Sequence, residues 1–132
     1  MQLVRDGGHT VLRSPMFGNE ADKTLVIGSS VKAGDQFKFS ISPGMKVIDQ
    51  TIAEFQDFKT NEVEADALIL ISCKGRHAAF GPMLEDEVRG IHSYWKKPMI
   101  GFMSYGEIGN MKNGICEFHN ETCSLVLLKE KA

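Results

Sequence analysis

Ala67-Leu68-Ile69-Leu70-Ile71 is the longest unbroken apolar run in the chain, with Asp66 before it and Ser72 after it. A short continuous run between polar boundaries reads as a strand buried on both faces. On either side the hydrophobic period changes to that of a helix. Upstream, Ile48, Ile52, Phe55 and Lys59 fall at i, i+4, i+7 and i+11, which predicts an amphipathic helix over about residues 45–60. Pro43-Gly44 leads into it. Downstream, Leu84, Val88, Ile91 and Trp95 repeat that spacing, with Glu85, Asp86, Glu87, Arg89 and His92 on the other side. Pro82 suits the first turn of this second helix. Its early acids and its late Lys96-Lys97 complement the helix dipole, and Pro98 stops it. Met99-Ile100-Gly101-Phe102-Met103 then returns as a strand. A strand–helix–strand unit over residues 68–103 implies a right-handed parallel crossover.

The flanking segments read as antiparallel. Gly7-Gly8 separates Leu3-Val4-Arg5 from Thr10-Val11-Leu12-Arg13, and Ser14-Pro15 breaks the second run. Residues 16–23 read as a loop and Thr24-Leu25-Val26-Ile27 as a strand. Gln36-Phe37-Lys38-Phe39-Ser40-Ile41 alternates polar and apolar, the pattern of a half-buried strand. Ile115-Cys116-Glu117-Phe118 and Cys123-Ser124-Leu125-Val126-Leu127-Leu128 read as a hairpin turning at His119-Asn120-Glu121-Thr122. The expected fold is α+β: a mixed β-sheet covered by two main helices, with a parallel strand–helix–strand crossover and a C-terminal hairpin, in one domain over residues 1–132.

Composition excludes several functions. Lys and Arg number 15 against 17 Asp and Glu, for a net charge of −2, so the broad positive footprint of a nucleic-acid binder is missing. No apolar run approaches the ~20 residues that span a bilayer. The first residues lack the basic and apolar regions of a secretory signal. Three cysteines cannot close a disulfide framework, and they fit a reducing cytoplasm. A Cys-x5-Arg phosphatase loop starting at Cys73 would need Arg where Ala79 stands. Nucleotide-binding glycine loops and the Gly-x-Ser-x-Gly elbow are missing. Cys116-x2-His119-x3-Cys123 offers three zinc ligands without a specified fourth, so neither metal nor cofactor is expected.

Chemistry concentrates where strands end. Ser72-Cys73-Lys74-Gly75-Arg76-His77 joins the buried strand to the second helix, and ligands favour the carboxyl edge of parallel strands. Gly75 would let the backbone turn and approach a ligand. Arg76 offers a planar fork for a carboxylate or phosphate, and helix amides favour the same anion. Tyr105 and Glu107 leave the returning strand on that same edge, where Glu107 would pair with Arg76 or receive an ammonium. His119 could accept a proton. Asn120 tolerates positive φ in a turn without any ligand. Cys73 beside His119 or His77 could form a thiolate pair.

Taken in order, Ser72-Cys73-x-Gly75-Arg76, Gly101-Phe102-x-x-Tyr105-Gly106-Glu107-Ile108 and Phe118-His119-Asn120-x-Thr122 resemble the C-terminal domain of the FIST family, the F-box and intracellular signal transduction proteins. Glu85 or Glu87 fits an acidic position between the first two motifs. Val11-Leu12-Arg13-Ser14-Pro15 and Val31-Lys32-Ala33-Gly34-Asp35 look like the family's upstream pattern. The resemblance implies a sensory domain for small ligands, amino acids among them, as found in bacterial signalling proteins. It also implies an N-terminal partner domain, for which 132 residues leave no room.

The expectation is therefore a non-enzymatic module for a small zwitterion. Cys73, Gly75, Arg76, Tyr105, Glu107, His119 and Asn120 are its candidate ligand-binding residues. Arg76 would hold the carboxylate and Glu107 the ammonium. Two alternatives remain: a Cys73-dependent hydrolase or transferase, and a scaffold half whose apolar surface meets the FIST N-terminal domain or a second copy.

Overall fold

The structure is a computed structural model and describes residues 1–60, 64–110 and 116–131. In chain order its elements are β1 (Gln2–Val4), β2 (Thr10–Leu12), β3 (Pro15–Asn19), β4 (Thr24–Ile27), β5 (Phe37–Lys38), α1 (Lys46–Thr60), β6 (Ala67–Cys73), α2 (Lys74–Phe80), a 3₁₀ turn (Gly81–Met83), α3 (Leu84–Trp95), β7 (Met99–Ser104), β8 (Glu107–Asn110), β9 (Cys116–His119) and β10 (Cys123–Leu128). The architecture is the expected mixture of helices with parallel and antiparallel strands.

β6 is the centre. It pairs in parallel with β7, Leu68 opposite Met99 and Cys73 opposite Ser104. It pairs antiparallel with β10, Leu70 opposite Leu125 and Leu68 opposite Leu127. Leu68 and Leu70 point to one face, where α1 and α3 cover them. Ala65, Leu68, Leu70, Ile91 and Trp95 form the buried core, with Ile52, Phe55, Val88, Met99, Leu125 and Leu127 against it. This stacking removes the helix stripes read from the sequence from water, at roughly 25 cal/mol per Å² of apolar surface. Gly101 of β7 has a packing reason. A Cβ there would run into the Leu70 carbonyl oxygen, so any side chain would force the paired strands apart.

Four local expectations are corrected. First, α2 starts at Lys74, so residues 74–77 are helical rather than a loop, and Gly75 lies in a helical turn instead of a reversal. No proline occurs between Lys74 and Gly81 to prevent this. Second, residues 16–23 are no plain loop. Pro15 opens β3, which pairs with β4 as an exposed hairpin. Pro is compatible with the first residue of an edge strand. Third, of the alternating segment only Phe37 and Lys38 pair, with Leu3 and Gln2. β1 is too short to template more, and Phe39 and Ile41 remain 92% and 96% exposed.

Fourth, the hairpin in the C-terminal part is present but pairs β9 with β8, Glu107 opposite His119 and Asn110 opposite Cys116. Ile115, read as the start of that strand, lies outside the described residues. β10 instead takes the free side of β6. A strand as apolar as β6 needs partners on both sides to satisfy its backbone. The segment from His119 to Thr122 therefore crosses between two sheets, and its polar side chains are carried to the carboxyl edge of β6.

Candidate functional site

At that edge the fold buries a network of polar groups. Arg13, Ser72, Arg76, Glu87, Glu107, His119 and Asn120 are each no more than 6% exposed. Buried polar groups are costly unless partnered, so their hydrogen bonds define what the site can do.

Arg76, on α2, is the hub. One guanidinium nitrogen donates to the Glu87 carboxylate on α3 in a buried ion pair. The same nitrogen donates to Thr51 Oγ1 on α1 at 3.2 Å. The other terminal nitrogen donates to the Glu121 carbonyl at 3.5 Å. The Phe80 ring centroid lies 5.5 Å from the guanidinium carbon. The expected pairing of Arg76 with Glu107 is thus replaced by one with Glu87 of α3, one of the two glutamates that fitted the acidic position between the motifs. Glu107 is occupied differently: it accepts from Ser104 Oγ at 2.6 Å and from Thr122 Oγ1 at 2.9 Å.

The crossing segment ties the two ends of the chain together. Asn120 Oδ1 accepts from the Ser14 N–H at 3.3 Å and from Ser29 Oγ at 3.1 Å. Glu121 Oε1 accepts from Ser14 Oγ at 2.8 Å. Arg13 donates to the Phe118 and Leu12 carbonyls, both at 3.0 Å. Positive φ falls on Glu121, at 60°, and not on Asn120, whose side chain bridges instead. Gly75 matters here: a Cβ would sit 3.2 Å from Glu121 Oε1. His119 Nε2 is 3.1 Å from the Gly109 carbonyl, so the proton of that bond sits on Nε2.

Cys73 ends β6 at 4% exposure, and its N–H donates to the Thr122 carbonyl at 2.9 Å. The His77 ring is 3.1 Å from Lys74 Nζ, so both candidate imidazoles have other partners. Cys123 lies opposite Ser72, and burial pushes its thiol up to about 12, with Glu87 adding to the rise. Among the described residues no group of three or more His, Cys, Asp or Glu could hold a metal ion.

A cleft of about 290 Å³ opens onto this network. Arg13, Arg76 and Glu121 line it, with Phe80, Val47 and Ile41 among its apolar walls. Nε of Arg13 and Nε of Arg76 are both buried without a hydrogen-bond partner among the described residues. Burial, reinforced by nearby Arg5 and opposed by Glu117 and Asp35, lowers the pKa of Arg13 from its usual value. Of the candidates read from the sequence, Arg76 lines the cleft. Cys73, Gly75, Glu107, His119 and Asn120 do not line it, and neither does Tyr105, which is 81% exposed. Glu121 went unrecognised because it occupies the variable position of its motif. Arg13 had a signal: it continues the alternation of Val11, 2% exposed, where an apolar residue is expected.

No helix among the described residues is long and apolar enough to cross a membrane. No curated protein and no solved structure gives a significant match. The family model of the FIST C domain matches residues 1–110, which include the first two motifs and end before Phe118-His119-Asn120. That family is one of signal-transduction sensory domains. The chain belongs to the FIST C domain family.

Proposed function

We propose that the chain is a non-enzymatic sensory module that binds a small zwitterion, with an amino acid as the representative ligand. One observation carries this reading: two buried arginines with unpartnered Nε atoms and one glutamate line the same 290 Å³ cleft. The arginine forks suit a carboxylate. Glu121 takes the role first assigned to Glu107 and receives the ammonium group. A phosphate would meet its repulsion. The small volume favours a ligand of amino-acid size. Cys73, at 4% exposure, is read as a core thiol rather than a nucleophile.

Thermal unfolding with a panel of amino acids and their deaminated carboxylates tests this reading. A ligand at 100 times its dissociation constant stabilises by about 2.7 kcal/mol. Glu121→Gln keeps the acceptor for Ser14, and it should abolish the preference for the amino acid over its deaminated analogue. No shift with any member of the panel overturns the proposal.

A further inference from the structure

Which zwitterion suits the cleft depends on what its walls offer once the two ligand charges are met, so this inference rests on the zwitterion reading above. Among the described residues, Arg13, Arg76 and Glu121 are the charged side chains that line the cleft. Arg76 already meets Glu87 in the buried ion pair. Arg13 donates to the Leu12 and Phe118 carbonyls, and Glu121 accepts from the Ser14 hydroxyl. One cation and one anion are therefore left for a ligand, and a carboxylate with an ammonium matches both. A third charge, on the ligand's side chain, would enter the cleft without a counter-charge. Taking a charge out of water without one is costly.

Apolar groups stand next to the anchors. Phe80 lies one turn beyond Arg76 on α2, with its ring centroid 5.5 Å from the guanidinium carbon. Val47 lies one turn before Thr51 on α1. The Thr51 hydroxyl donates to the Val47 carbonyl at 2.9 Å and accepts from Arg76 at 3.2 Å, which ties that turn of the helix to the arginine. Leu12 precedes Arg13 on β2. These three apolar side chains line the cleft and are only half-buried, so each has apolar surface still to lose to a ligand. Gln2, Ser40 and Ser42 add polar groups to the wall but no charge.

We propose that the cleft selects its ligand by an uncharged, apolar side chain of about leucine's size, and that Phe80 is the residue that sets this choice. The arginines fix the carboxylate. Phe80, within a turn of Arg76, then meets the first carbons of the ligand's side chain, and Val47 and Leu12 supply further apolar contact. Alanine satisfies the charges and leaves this surface wet. Lysine and glutamate bring a charge that the wall does not match. Wells of this kind, apolar with a few fixed polar groups, are the usual form of small-molecule sites.

Isothermal titration calorimetry of the full chain tests the proposal, with alanine, leucine, norleucine, lysine and glutamate, and with 4-methylpentanoate and propanoate as the deaminated forms of leucine and alanine. Leucine and norleucine should bind at least about tenfold more tightly than alanine. Lysine, which is norleucine with a terminal ammonium, should bind more weakly than norleucine. Leucine should also show the more negative heat-capacity change that marks apolar burial. Phe80→Ala should narrow the ratio of leucine to alanine affinity. Val47→Asp places an acid in the first turn of α1, where the helix dipole favours it, and should raise lysine above norleucine. Alanine, lysine or glutamate binding as tightly as leucine would overturn the proposal and leave the zwitterion reading standing. Leucine bound no better than 4-methylpentanoate, with both above propanoate, would overturn the zwitterion reading and support the apolar wall. No binding by any of these compounds would overturn both, and an unchanged ratio in Phe80→Ala would remove Phe80 from its role.

Discussion

The guanidinium of Arg76 and the carboxylate of Glu87 form an ion pair with side chains 8% and 1% exposed, joining α2 to α3 beneath the carboxyl edge of β6. Each charge has lost its water and depends on the other. Breaking a buried pair is far more damaging than losing a surface one, because the remaining charge is stranded.

Glu87→Ala should therefore cost about 3–5 kcal/mol in urea unfolding. Arg76→Ala/Glu87→Ala should cost less than the sum of the single variants, since it leaves neither charge unpaired. Strict additivity would mean that the two side chains do not interact.

Asn120→Ala removes the acceptor for the Ser14 amide and the Ser29 hydroxyl. The expected cost is about 1–3 kcal/mol, since an amide is left unsatisfied. Limited proteolysis should report the same change locally, with faster cleavage near residues 14–30 than in the unsubstituted chain. Equal cleavage rates would show that this bridge does not hold the N-terminal segment.

The Cys123 thiol is raised from 9.0 to about 12, chiefly by burial. A raised value means that the fold favours the neutral form. Its contribution to stability is complete below about pH 9 and fades as pH climbs toward 12. By pH 10 the loss is on the order of 1 kcal/mol. Unfolding measured from pH 7 to 10 should fall more steeply for the unsubstituted chain than for Cys123→Ala. Parallel slopes would contradict the buried thiol. Alkylation at neutral pH should label Cys116, which is exposed, well before Cys73.

Much of the fold follows from local pattern. The apolar run at β6 and the two helical stripes are set by short-range period, so α1, α3 and the β6–β7 crossover were legible. The carboxyl edge of β6 was legible for the same reason, since a strand that ends at Ser72-Cys73 directs the next segment to one rim. Pairing between distant strands was not legible. Nothing local tells β10 to choose β6 over β9, because that choice depends on which backbone edge is free once the core has formed. The partners of the charged residues were likewise decided by tertiary structure. Glu87, Glu107 and Glu121 are chemically alike in the sequence. Only packing determines which one meets Arg76, which one is bound by hydroxyls and which one faces the cleft. Sequence alone determined that an arginine and an acid would be carried to that rim; the three-dimensional fold decided which acid, because burial makes the energy of a charge depend on its immediate neighbours.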